Sequence, residues 1–151
     1  MNQELNPPLG FICDEYEFEF SFSEEKISSV WQRLQLRETF TQGQVFPYKV
    51  EFAAKSQTGE FKPGELNIHH GPLLSLHGAI GEMTPQYRGL DYFYGSYVAS
   101  FRLVRPVKLE FFRNGLTIKV KLKAYVRPFF RPIWRLSNLI LWSSFRMTLN
   151  E

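Results

Sequence analysis

Polar and apolar residues alternate strictly in two stretches, one near each end of the chain. In D-E-Y-E-F-E-F-S-F, Tyr16, Phe18, Phe20 and Phe22 fall on one face and Glu15, Glu17 and Glu19 on the other. In L-T-I-K-V-K-L-K-A, Leu116 to Ala124, the bases Lys119, Lys121 and Lys123 alternate with apolar residues. Period two sends successive side chains to opposite faces, so both stretches read as half-buried strands. After the first, Ser21 or Ser23 can cap a helix whose first turn carries Glu24 and Glu25. Ile27, Val30, Trp31 and Leu34 then repeat at helical spacing, which predicts a short helix burying that stripe. After the second strand and Val126-Arg127-Pro128, a mostly apolar segment from Pro132 to about Leu149 predicts one long amphipathic helix.

The middle of the chain reads as further strands. Phe46, Tyr48, Val50 and Phe52 alternate with polar or punctuating residues. Turn signals follow at Ser56–Glu60 and Pro63-Gly64. Short strands are expected at Glu65–His70 and Leu74–Glu82, split by Gly71-Pro72. A long ring-rich strand is expected over about Arg88–Val104, bent at Gly95 and ended by Pro106. Val107–Arg113 and a hairpin turn at Asn114-Gly115 lead into the lysine strand. The order is strand, short helix, six strands, long helix, an α+β arrangement with a mostly antiparallel sheet. Residues 1–12, with Pro7-Pro8 and Gly10, read as a flexible arm ahead of a single domain over 13–151.

Charge selects the sheet order. Residues 1–38 carry 8 acids against 3 bases, residues 39–99 carry 5 against 4, and residues 100–151 carry 2 against 11, which gives the net +3 of the whole chain. Placing the first and last strands side by side and antiparallel sets Glu15 near Lys123, Glu17 near Lys121 and Glu19 near Lys119. Such cross-strand pairs contribute about 0.2–1 kcal/mol each, and like charges opposed would cost similarly. The two strands are therefore predicted neighbours, and much of the charge asymmetry cancels within the sheet.

In this order the chain resembles the helix-grip superfamily called SRPBCC, which includes START lipid-transfer domains, birch-pollen-allergen-like plant proteins and the polyketide cyclase/dehydrase group. F-S-F-S-E-E-K-I-S-S-V-W resembles its strand-to-helix opening, with Val30-Trp31 as the V-W pair. G-A-I-G-E-M-T-P-Q-Y-R-G-L-D-Y, Gly78 to Tyr92, resembles its G-x-I-x-E-x-x-P…L-x-Y strand turn. N-G-L-T-I-K-V-K-L-K-A resembles its final strand, although Leu116 displaces the usual Gly-Thr junction. The resemblance covers about residues 14–149. It implies a curved seven-stranded antiparallel sheet around a long C-terminal helix, with a cavity between them for apolar or amphipathic ligands. It carries over no catalytic residue.

Composition agrees with a container. The aromatic share is 17%, with 15 Phe, and rings at that density fill a wide core or line a cavity. The expected lining is Trp31, Tyr48, Val50 and His77, then Tyr92, Tyr94, Tyr97 and Phe101, then Leu109 and Phe111, with Trp134, Ser137, Ile140 and Ser144 from the last helix. On that helix, Ile133, Leu136, Ile140 and Met147 are expected to face inward, with Ser137, Ser144 and Thr148 in the same arc leaving room for a ligand. Arg135, Leu139, Trp142 and Arg146 then form an outer face suited to a membrane surface or a second subunit.

Candidate chemistry is sparse. His69 and His70 are consecutive, so on a strand they point to opposite faces, and no acid or cysteine stands at ligand spacing. No metal site and no cofactor are expected. Cys13 stands beside the acids Asp14 and Glu15, the opposite of the cationic setting that activates a thiol, so it is not read as a nucleophile. Glu82 and Asp91 do not define an acid/base pair. A cyclase- or hydrolase-like activity would rest on His77 and the tyrosines. A basic stripe of Arg102, Arg105, Lys108, Arg113, Arg127 and Arg131 near Phe112 carries no nucleic-acid motif, so nucleic acid ranks last. The single cysteine points to a reducing, cytoplasmic setting. The opening M-N-Q-E-L-N-P-P has neither the basic nor the apolar region of a secretory leader.

Overall fold

A computed structural model describes residues 6–42, 48–71, 74–96 and 102–150, with backbone alone at 74 and 93–96. The glutamate stretch forms β1 (Ile12–Ser21), and the lysine stretch forms β7 (Thr117–Val126). They pair antiparallel in the register the charges select: Glu15 opposite Lys123, Glu17 opposite Lys121, Glu19 opposite Lys119. The ion contacts themselves run diagonally, Lys119 Nζ to Glu17 Oε2 at 2.8 Å and Lys121 Nζ to Glu15 Oε2 at 3.2 Å. Long lysine stems reach the diagonal neighbour as readily as the direct one.

Helix α1 (Glu24–Arg33) follows β1 and buries Ile27, Val30 and Trp31. Ser23 occupies its N-cap position without a side-chain cap bond. A second short helix, α2 (Arg37–Thr41), is absent from the periodicity reading because five residues are too few to show a period. Strands β2 (Lys49–Phe52), β3 (Leu66–Gly71), β4 (Leu74–Thr84), β5 (Tyr87–Ser96) and β6 (Val104–Asn114) complete one seven-stranded antiparallel sheet of order β1-β7-β6-β5-β4-β3-β2. Of the long strand expected to reach Val104, β5 covers the part to Ser96, and residues 97–101 lie outside the described residues. Pro106 does not stop the next strand: it lies inside β6 at a register shift between Pro106 and Lys108, where a missing N–H is tolerated. The β6–β7 loop is Gly115-Leu116, one residue later than predicted, and Gly115 takes the positive φ of 58° that the turn needs.

A 3-10 turn (Pro128–Phe130) leads into α3 (Arg131–Asn150), 20 residues long. The helix is fastened at both ends. At its start, the Asp14 carboxylate on the inner face of β1 accepts from Arg131 Nε at 2.7 Å and Arg135 Nη2 at 2.9 Å. At its end, Arg33 donates to the Thr148 and Leu149 carbonyls and Lys26 to Asn150 O. Cations at a helix C-terminus satisfy open carbonyls and oppose the dipole. The expected arm is tied down where it meets β1: Phe11 is buried, with the guanidinium carbons of Arg127 and Arg105 4.2 and 4.8 Å from its ring centre.

One expectation for α3 is reversed. The buried side is Trp134, Asn138, Trp142, Phe145 and Leu149. Ile133, Leu136, Ile140 and Met147, predicted to face inward, are 57%, 57%, 48% and 70% exposed, while Trp142, predicted to face out, is 5% exposed. Both sides of this helix are apolar, so periodicity alone does not choose between them. The indoles and Phe145 win because they bury more area per residue.

Candidate ligand cavity

Between α3 and the inner sheet face lies a partly open cavity of about 90 Å³. Every layer contributes to it. Val50, His69 and Leu76 stand side by side across β2, β3 and β4, as their pairing requires. Leu109 and Leu122 pair across β6 and β7. Phe40 comes from α2, and Trp134, Ser137, Asn138, Leu141, Trp142 and Phe145 come from α3. Trp142 packs edge-on against Phe111 at 5.9 Å and Phe145 at 5.8 Å. Few water-sized voids survive in a well-packed core, so a hollow of this size among rings is a feature of the site.

The polar groups in this wall are few and specific. Tyr48 Oη lies 2.9 Å from Ser137 Oγ, bridging the approach to β2 and α3. Deeper in, Tyr92 Oη is 3.3 Å from His69 Nδ1, and Asn67 Nδ2 is 3.2 Å from His69 Nε2. An amide nitrogen only donates, so Nε2 accepts and the imidazole proton sits on Nδ1, donating to Tyr92 Oη. The Tyr92 hydroxyl proton then remains for a further acceptor. Burial, with His70 adding a smaller push, lowers the His69 pKa to about 4 and keeps the ring neutral. Burial raises the Tyr92 pKa, so the phenol stays protonated. His70 also borders the cavity and is bonded to Glu51 Oε2 and Ser75 Oγ at 3.2 Å each.

A smaller hollow of about 30 Å³ lies further inside. It shares Phe40, His69 and Leu109 with the larger one and adds Arg88, Asn67, Phe52, Phe61 and Phe111 among its walls.

Of the residues expected to line a cavity, Tyr48, Val50, Tyr92, Leu109, Trp134 and Ser137 line the larger hollow, and Phe111 lines the inner one. Trp31 is buried elsewhere in the core, with the Arg88 guanidinium 4.5 Å from its ring centre. His77 pairs with Ile68 and Tyr94 and lies on the face of β4 opposite Leu76. Ile140 faces outward and Ser144 is half-buried beside the cavity wall without lining it. Tyr97 and Phe101 lie outside the described residues, as does the Tyr94 side chain. The sequence reading missed Phe40, His69, His70, Gly71, Leu76, Leu122, Asn138, Leu141, Trp142 and Phe145. For His69 the signal misled: on β3 the apolar Leu66 is exposed while Asn67 is buried, the inverse of the usual pattern.

The cations read as a basic stripe are largely engaged. Arg105 and Arg127 hold Phe11, Lys108 Nζ is 3.5 Å from Glu110, Arg113 donates to Ser28 Oγ, and Arg131 holds Asp14.

A curved antiparallel sheet closed by a long C-terminal helix clamped at both ends, with a short helix after the first strand and a hollow beneath the grip, is the helix-grip fold. Solved structures with this fold align over nearly the whole chain. Norcoclaurine synthase from Thalictrum flavum, in complex with dopamine and hydroxybenzaldehyde, aligns with a TM-score of 0.60 at 9% identity, covering 93% of this chain and 86% of its own. Major latex-like protein 151 from Panax ginseng aligns with a TM-score of 0.62 at 10% identity, covering 91% and 94%. An uncharacterised protein from Rhizobium leguminosarum aligns with a TM-score of 0.53 at 9% identity, covering 93% and 96%. At such identities the likeness is one of fold. No family model and no curated protein matches the sequence. Among the described residues, no helix is long and apolar enough to cross a membrane.

Proposed function

We propose that this protein binds a small apolar or amphipathic molecule in the cavity under α3, in a cytoplasmic setting. The observation that carries this reading is the ring-lined hollow itself, with a neutral His69–Tyr92 pair and the Tyr48–Ser137 pair set into apolar walls. Binding sites for small molecules have this composition, mostly apolar with a few placed polar groups. That a helix-grip neighbour has been solved with dopamine and hydroxybenzaldehyde supports a ring-bearing ligand. An acid/base activity on this fold would fall to His69 and Tyr92, not to His77. Both are held neutral, which suits hydrogen bonding to a ligand oxygen. Filling the hollow tests the reading. Leu141→Trp places an indole where the ligand would lie. Calorimetric titration with 3-phenylpropan-1-ol should give binding to the native protein and at least a tenfold loss in the variant, with the circular dichroism spectrum unchanged. Equal affinity in both proteins would refute it.

A second reading concerns how such a ligand arrives. The outer side of α3 presents Ile133, Leu136, Leu139, Ile140 and Met147 to solvent, continued by Phe129 at 72% exposure. Arg135 and Arg146 flank this strip and α3 has no acidic residue. A second copy laid antiparallel on it would set Arg135 against Arg146, like against like. An anionic bilayer surface meets both the apolar strip and the arginines favourably, as interfacial amphipathic helices do. We therefore assign this face to a membrane surface, through Leu139 and Arg146 as the sequence suggests, but without the buried Trp142 and with Arg135 engaged by Asp14. Co-sedimentation should show retention on phosphatidylserine-containing vesicles, little on pure phosphatidylcholine, and loss of retention in the Leu136→Ser/Ile140→Ser double variant. Equal retention of native and double-variant protein would exclude this face.

A further inference from the structure

Arg88 is the one feature of the inner hollow that the container reading does not use. It stands on the inner face of β5, opposite Phe111 of β6, and is 8% exposed. Among the described residues no carboxylate pairs with it. Its guanidinium lies over the Trp31 ring and makes three bonds to neutral acceptors: Thr84 O at 3.2 Å, Gln35 Oε1 at 3.4 Å and Trp31 O at 3.5 Å. Its Nε is buried and has no partner among the described residues. A buried cation is expensive unless a counter-charge compensates it, and guanidinium is the side chain whose planar donors match a carboxylate. Burial lowers its pKa from the ordinary arginine value, as expected of a charge without compensation.

Arg88 also lines the inner hollow, which shares Phe40, His69 and Leu109 of its wall with the larger cavity. We propose, building on the cavity reading above, that Arg88 anchors the anionic head of the ligand, so that the preferred ligand class is a small apolar monocarboxylate. The carboxylate occupies the inner hollow beside Arg88, and the apolar body lies in the larger cavity under α3. Two of the three bonds to neutral oxygens, at 3.4 and 3.5 Å, are long and weak, so the guanidinium exchanges them readily for a charged acceptor. The Tyr92 hydroxyl, on the wall of the larger cavity, adds a second polar contact for the ligand.

The test compares two probes of one shape, 3-phenylpropanoate and 3-phenylpropan-1-ol, by calorimetric titration at pH 7. The native protein should bind the carboxylate at least tenfold more tightly than the alcohol, and Arg88→Gln should erase that preference while leaving the alcohol's affinity within about twofold. Arg88→Lys, which keeps the charge and loses the planar fork, should retain part of the preference. In native protein labelled with nitrogen-15, the Arg88 Nε–H resonance should shift with the carboxylate and not with the alcohol, a readout that needs no variant. Native protein that binds the alcohol as tightly as the carboxylate, or a carboxylate titration that leaves the Arg88 resonance unmoved, overturns the proposal while the cavity reading stands. Binding of neither probe overturns both.

Discussion

Trp142→Ala should destabilise the protein by about 3–5 kcal/mol, the usual loss when a buried aromatic ring is removed and only part of the space closes. Trp142 is 5% exposed and contacts Phe111 and Phe145. It lies midway along the buried side of α3, so its removal loosens the contact between helix and sheet at the centre of the grip. Ile140→Ser, two residues away in sequence and on the outer side, should change stability by no more than about 0.5 kcal/mol, the range for surface substitutions. Urea unfolding followed by circular dichroism separates the two. The contrast matters more than either value, because it reads directly which side of α3 faces the sheet. If Ile140→Ser proved the costlier change, the helix would be turned the other way and the cavity lining described here would be wrong.

Acidification should destabilise the protein through His69. The folded pKa of about 4 lies below the ordinary 6.5 because burial disfavours the charged ring. Below pH 6.5 the unfolded chain takes up a proton at this position while the folded protein does not, until pH falls to about 4. Stability therefore declines across that window, by about 2 kcal/mol between pH 7 and 5 and about 3 kcal/mol by pH 4, following 1.36 kcal/mol per pH unit. His69→Gln has no proton to gain, so its stability should fall less over the same range. Unfolding free energies of the two proteins, measured at intervals from pH 7 to 4, give the His69 contribution as their difference. Parallel curves would mean that His69 titrates normally, and that the wall of the cavity is wetter than its burial implies.

The architecture was legible where local patterns are unambiguous. Glu15, Glu17 and Glu19 against Lys119, Lys121 and Lys123 name both the neighbours and the register, because only one alignment opposes all three pairs. The helical spacing of Ile27, Val30 and Trp31 places α1. Inside the site the signal weakens for identifiable reasons. The helix α3 is apolar nearly all round, so the choice between Trp142 and Ile140 depends on the shape of the sheet it meets. Strand β3 carries its polar residues, Asn67 and His69, inward, where they serve the cavity and break the usual alternation. Asp14 was readable in principle, since it stands two residues before Tyr16 on the same face of β1. A buried carboxylate is uncommon without partners, and its partners, Arg131 and Arg135, lie more than a hundred residues away in sequence. A separation of more than fifty residues likewise hides the environment of Arg88, which is set by Trp31 and Gln35 on one side and by the inner hollow on the other. Functional positions violate local rules more often than structural ones do, and here they are where pattern reading fails.

The central claim is that the hollow beneath α3 is a binding site. A nitrogen-15 and carbon-13 resonance titration of the native protein with 3-phenylpropan-1-ol tests it most directly. Saturable shifts should appear at Val50, His69, Leu76, Asn138 and Leu141, which surround the hollow from four elements, while Phe129 and Met147 on the outer surface stay in place. Shifts confined to Phe129, Met147 and their neighbours, with the hollow's lining unmoved, would contradict the account.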